Sequence, residues 1–339
     1  MVRTSLFACV LAAAAPLEAQ ALPDLKVLTP DGYDLFIRAD AARIQQSEFW
    51  RVFSHSAMVK EFLEKQLPEH LGFEVEDLKR AQVAVLDGPG GESVSMYLEG
   101  TADLKAERIV ETAQRHRGEP VEPATVAGRK AWILADDDHG PSVTEFGPGM
   151  VWMASPGRFV RERLEVIQKS NPHKPAPIMQ RMFGHEAGAL FLANCNPHFL
   201  RLLNNQCAEK AGTSVTGMWC QVDFQPDLVV RAGALIADGA KAEAMQAAMV
   251  QAVGEMEQQL RQGKRAGLAD QLKKIVLKVD RDEITTEIRI DKKDVSTIAQ
   301  GVGLFFTGLH TVTEDRVMAA TVAEPESRPA PAQSKPAGK

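Results

Sequence analysis

Three cysteines and a histidine are the residues best placed to do chemistry. Cys195, His198, Cys207 and Cys220 fall within one short stretch. Four donors of these types suit tetrahedral zinc. The gaps between them, two, eight and twelve residues, match no common zinc module. A Cys–His nucleophile would need a thiol of lowered pKa with a base beside it, and nothing in the spacing supplies that geometry. In an exported chain, thiols oxidise where they can. Cys195 and Cys207 flank a short helix and a polar loop, so a Cys195–Cys207 disulfide is the expectation. Closing that loop stabilises by roughly 3 kcal/mol in the chain-entropy picture. The rival pairing is Cys207–Cys220, and either bridge leaves one buried, inert thiol.

Other motifs fail on spacing. There is no Gly-x-Ser-x-Gly elbow, and Gly212-Thr213-Ser214-Val215-Thr216-Gly217 leads into a strand. His185-Glu186 lacks the second histidine of a His-Glu-x-x-His site. Gly88-Pro89-Gly90-Gly91 lacks the Lys-Ser/Thr of a phosphate loop, and Gly301-x-Gly303 has no strand-to-helix turn before it. Asp136-Asp137-Asp138-His139 is the densest charged spot. Counted as a calcium loop from Asp136, it puts Pro141 where Gly is needed and Gly147 where Glu is needed. A solvated connection between strands is the expectation there. No cofactor is expected and no catalytic residue can be named.

The elements that would position these residues come in a faint repeat. Gln82–Leu86 and Val94–Leu98 read as a hairpin around Asp87–Gly91, followed by a helix that opens Lys105-Ala106-Glu107 and runs to about Arg117. Met218, Cys220, Val222 and Phe224 alternate with Trp219, Gln221 and Asp223. Gln225-Pro226-Asp227 then turns the chain into Leu228–Ala234, and the next helix opens Lys241-Ala242-Glu243. Further on, Ala131–Ala135 and Met150–Ala154 precede a helix over Phe159–Ile167. Likewise Ile275–Val279 and Ile284–Ile290 precede a helix from Asp294. Each half opens with a strand and a helix: Leu35-Phe36-Ile37 before a long helical stretch with Phe49, Phe53, Phe62 and Leu63, and Ala189–Ala193 before a helix capped by Asn196 with Pro197 at its first position. The fold class is therefore α+β. It has two related repeats of strand-helix-hairpin-helix-hairpin-helix, forming antiparallel sheet with helices on one face. Met245, Met249, Ala252, Val253, Met256 and Leu260 share a helical stripe. Core packing against the sheet is expected of it, an adaptable binding groove being the alternative.

Arg3, the apolar run Ser5–Ala15, Pro16 and Ala19-Gln20-Ala21 have the order of a secretory signal peptide cut after Ala21. Leu6-Phe7-Ala8-Cys9 is no lipoprotein box, because a cut there would strand Val10–Ala15 in the mature chain. No later run is long and apolar enough for a transmembrane segment. The expected organisation is a signal peptide over 1–21, a first repeat over 22–170, a Pro-rich linker over 171–184, a second repeat over 185–320 and a disordered Pro/Ala-rich tail over 321–339. The net charge of −6 and the scattered basic residues exclude a nucleic-acid partner class. Two Tyr and four Trp argue against a sugar-binding platform.

The chain resembles exported bacterial proteins that share Arg38-Ala39-Asp40 after an early strand, then Ser47-Glu48-Phe49-Trp50. Leu71-Gly72-Phe73 and Asp77-Leu78-Lys79-Arg80 follow, leading into the first hairpin. The resemblance brings no activity with it, so no functional residues carry over. The expectation is a periplasmic or extracellular, non-catalytic binding or scaffold protein of the cell envelope. Its partner would be an envelope component or a hydrophobic ligand. The alternatives are an exported hydrolase with a site assembled from distant residues, and a carrier of a lipid or other hydrophobic ligand that uses the Met stripe.

Overall fold

The computed structural model describes residues 34–88, 91–117, 121, 123–126, 129–133, 142–155, 177–263, 266–296 and 298–299. The signal segment, Asp136–His139, the helix expected over Phe159–Ile167, residues 171–176, Gly301-x-Gly303 and the tail lie outside them.

Among the described residues, twelve strands pair antiparallel in one sheet. At its centre β1 (Leu35–Asp40) lies between β2 (Leu78–Gly88) and β8 (Leu190–Asn194). Outward from β1 come β2, β3 (Gly91–Gly100), β7 (Met150–Ser155), β6 (Ser142–Gly147), β5 (Arg129–Ile133) and β4 (Ala124–Val126). Outward from β8 come β9 (Val215–Asp223), β10 (Leu228–Ile236), β12 (Glu283–Ile290) and β11 (Lys278–Asp280). Beyond the β2–β3 hairpin the sheet continues through β7, β6, β5 and β4, and beyond the β9–β10 hairpin through β12 and β11. The strand β6 occupies what the sequence marks as a polar connection. Its Ser142 and Thr144 are buried, so hydrophobicity gives no period there.

Facing residues of paired strands share a side of the sheet. Ile37, Val83, Met96 and Val151 lie on one side. Against them pack α1 (Ala41–Gln45), α2 (Glu48–Phe53), and, after α3 (Ala57–Glu61), α4 (Leu67–Leu71) and α5 (Ala106–Arg117), through Ile44, Trp50, Leu67, Ile109 and Val110 among others. The long helical stretch expected after β1 is thus broken. Asp40 and Ser47 each start a new helix by accepting the backbone N–H of Arg43 and of Trp50. A π-helical turn over Phe62–Gln66 precedes α4, which carries Pro68 in its first turn. Gly72 ends α4 at φ 75°, and a Cβ there would stand 2.5 Å from the Arg108 carbonyl oxygen. Both the left-handed turn and the close approach to α5 require glycine.

On the same side of the second half, Ala234 and Ile284 carry α8 (Ala242–Gln262) together with Leu200 and Cys207 of α7 (Pro197–Ala211). Met245 and Met249 are buried there, each contributing about 1.5–3 kcal/mol of burial. The first half of the Met stripe, Met245 to Ala252, is therefore core, and Met256 beyond it is exposed. The short α9 (Ala266–Leu272) follows α8. One helix departs from the one-sided arrangement. Residues 177–183, which the sequence assigns to the linker, form α6 (Pro177–Phe183). Its Met179 and Met182 pack on the opposite side, against Phe36, Ala84, Phe191 and Trp219.

Candidate functional site

The cysteines are free thiols, and the Cys195–Cys207 bridge is not formed. Cys207 lies ten residues beyond Pro197 along α7. At a rise of about 1.5 Å per residue the helix carries it roughly 15 Å from the end of β8, beyond disulfide reach. The rival partner Cys220 stands in β9 between Leu192 and Ala232. Cys195 turns to the other side of the sheet, with its Sγ 3.8 Å from Met179 Sδ. Cys195 and Cys220 thus point away from each other, and His198 sits in the first turn of α7. Two of the four residues weighed as zinc ligands, Cys195 and Cys220, are therefore held apart. Burial pushes the Cys195 and Cys220 thiols up to about 11 and raises Cys207 as well, so none has the thiolate character of a nucleophile at neutral pH.

A cluster of titratable groups lies where α6 and the turn after it meet the β11–β12 hairpin. His185 stacks on Trp219 with ring centroids 4.1 Å apart. The Trp219 indole N–H donates to Glu283 Oε1 at 2.6 Å, and His185 Nε2 lies 3.2 Å from the same oxygen. Gly233, opposite Trp219 in the register, makes room for the indole, since a Cβ there would stand 2.3 Å from Nε1. Arg181 grips Asp282 through both guanidinium nitrogens, the second at 2.7 Å, and holds the Asp282 carboxyl below its ordinary value. One residue past His185, Glu186 pairs with Arg38 of β1 at 2.8 Å. A His–carboxylate pair could serve as a base. Among the described residues, however, no Ser, Thr or Cys side chain hydrogen-bonds His185. The cluster fastens α6 to both halves of the sheet.

A cavity of about 390 Å³ opens on the helix-bearing side, where the halves meet. The start of α2 supplies Ser47, Glu48 and Phe49, preceded by Gln46. The β9–β10 turn supplies Phe224–Asp227, with a cis bond before Pro226, and leads into Leu228. Lys292 and Val295, beyond β12, close it. The floor is apolar. Phe49 stacks on Phe53 at 5.5 Å and meets Phe224 at 5.4 Å, and Leu228, Val230, Ile288 and Val295 continue the cluster. The rim is polar. Glu48 is held by Arg51, and Asp227 lies 3.8 Å from Arg289. The amides of Gln46 and Gln225 and the Lys292 ammonium have no side-chain partner among the described residues. Arg43 of α1 reaches Asp223, one residue before Phe224, at 2.6 Å and ties the two walls together.

Sequence reasoning missed this site. Phe49 and Phe224 each read as an ordinary core position, and Gln225-Pro226-Asp227 as a plain turn. Only the β1–β8 pairing brings the two walls face to face.

No protein-family model matches the chain, and no curated protein matches it. Among solved structures, crystal form III of TP0453 is 11% identical and covers 83% of this chain and 99% of that one, with a TM-score of 0.46. Crystal forms I and IV of TP0453 are each 10% identical with a TM-score of 0.42, and cover 83% and 84% of this chain and 98% and 97% of those chains. The fold described above rests on the strand pairing of this chain alone. Among the described residues, no helix is long and apolar enough to cross a membrane.

Proposed function

We propose that this chain is a non-catalytic binding protein, exported to act in the cell envelope, and that it takes its ligand in the cavity between α2 and the β9–β10 turn. One observation carries the reading: α2 from one half and the β9–β10 turn from the other enclose an apolar cluster with a polar rim, of which Gln46, Gln225 and Lys292 have no side-chain partner among the described residues. Ligand sites combine apolar walls with polar groups that fix orientation, and their volumes start at about 300 Å³. Export rests on the order of residues in the first 21 positions.

The test is a melting-temperature screen of the mature chain against small apolar acids, alcohols, amines and short peptides. A ligand that prefers the folded state raises the melting temperature. The reading expects at least one compound whose shift disappears in Phe224→Glu. It fails if every shift survives that change, or if a hit is turned over to product.

A further inference from the structure

We infer that the cavity selects a monoanionic apolar ligand, a carboxylic acid with an aromatic or branched apolar body, and that Lys292 receives its carboxylate; the inference rests on the binding reading above. The argument is one of unspent groups. Three charged side chains line the cavity: Glu48, Asp227 and Lys292. Each carboxylate already faces a cation, Arg51 for Glu48 and Arg289 for Asp227. Lys292 faces no anion among the described residues. The charge left for a ligand is therefore positive, and it stands at the rim. A carboxylate placed there gains a charge-assisted hydrogen bond.

The floor selects the rest of the molecule. Phe49 and Phe224 meet at an interplanar angle of 54°, and Pro226, Leu228 and Val295 complete the lining. An aromatic ring can add edge or offset contacts to both phenylalanines. Gln46 and Gln225 each offer a donor and an acceptor, which suits the remaining carboxylate oxygen or a polar atom near it. A cationic amphiphile would also find aromatic faces, but it would bring its charge toward Lys292 and would meet only carboxylates already occupied.

Three probes of matched shape separate these terms: 4-phenylbutyrate, 4-phenylbutanol and 4-phenylbutylammonium, titrated calorimetrically into the mature chain at fixed low salt. Phenylbutyrate is expected to bind about tenfold or more tightly than the alcohol, and the ammonium most weakly. In Lys292→Gln the butyrate should fall to the affinity of the alcohol, while the alcohol is unchanged. Lys292 is exposed, so the variant should keep the fold, and its unaltered melting curve checks that. Equal affinity of acid and alcohol in the wild type, tightest binding by the ammonium, or full affinity for the acid in Lys292→Gln would each overturn the inference and leave the cavity as a binding site. Binding by none of the three probes, with hits elsewhere in the broader screen, overturns this ligand class alone. No hit anywhere overturns the binding reading with it.

Discussion

Tyr97 carries a hydroxyl that the fold leaves without a partner among the described residues, although the residue is only 1% exposed. Burial also raises its pKa well above the ordinary phenol value, so the group stays neutral and keeps its proton. A buried unpaired hydroxyl costs about 1–3 kcal/mol of desolvation. Tyr97→Phe is therefore expected to leave stability unchanged or raise it by about 1 kcal/mol, read from urea unfolding of the mature chain; a clear loss would show that the hydroxyl does have a partner. The thiols give a second prediction. With Cys195 and Cys220 at about 11, native-state alkylation at pH 7 should be far slower than in the denatured chain. It should speed up as pH rises toward that value, because the thiolate is the reactive form. Rapid native alkylation at pH 7 would mean that the thiols are not buried as described. The sequence identified these cysteines as the leading chemistry because it gives residue types and spacing. It could not show that β8 turns Cys195 to one side of the sheet and β9 turns Cys220 to the other.

The hairpins were the most legible elements. Period-two alternation in Val94–Leu98 and Met218–Phe224 lies inside β3 and at β9, and the turn residues mark where each pair reverses. The α6 helix was hidden because Pro172, Pro175 and Pro177 give its surroundings the composition of a linker, and seven residues are too few for a helical period to show. Its anchoring is nonetheless testable. The Asp282 pKa is lowered in the folded chain, chiefly by its hydrogen bonds to Arg181. That stabilisation is present above the unfolded carboxylate value of about 3.9 and is lost as pH falls through the lower folded value. The stability gap between wild type and Arg181→Gln should hold from pH 7 to 5 and close at the acid end, as followed by thermal melts across pH. A gap independent of pH would assign the effect to packing of the arginine stem. In the helix layer of the first half, Gly72→Ala should destabilise by about 2 kcal/mol or more. The new Cβ must adopt a left-handed backbone and also displace α5.

The halves share one sheet, and the sequence foretold only the order of elements along the chain. Local alternation says which residues face together within a strand, but nothing local says that β1 pairs with β8. Five register pairs, from Leu35↔Asn194 to Ala39↔Leu190, make that join. It is extended by backbone hydrogen bonds from Cys195 to Asp34 and from Asp40 to Ala189. Residues 22–170 and 171–320, the second keeping α6, should each be insoluble when produced separately, because each would expose its central strand edge. Co-expression should restore a soluble pair, and a soluble, folded single half would refute this. The same join has a consequence for exchange between molecules. Each half offers the strand that the other half needs, so β1 of one copy can pair with β8 of another, and a second such pairing closes a twofold domain-swapped dimer. Every strand partner in that dimer would be the one seen here. It would differ from two monomers only in which copies the segment between Ser155 and Pro177 connects.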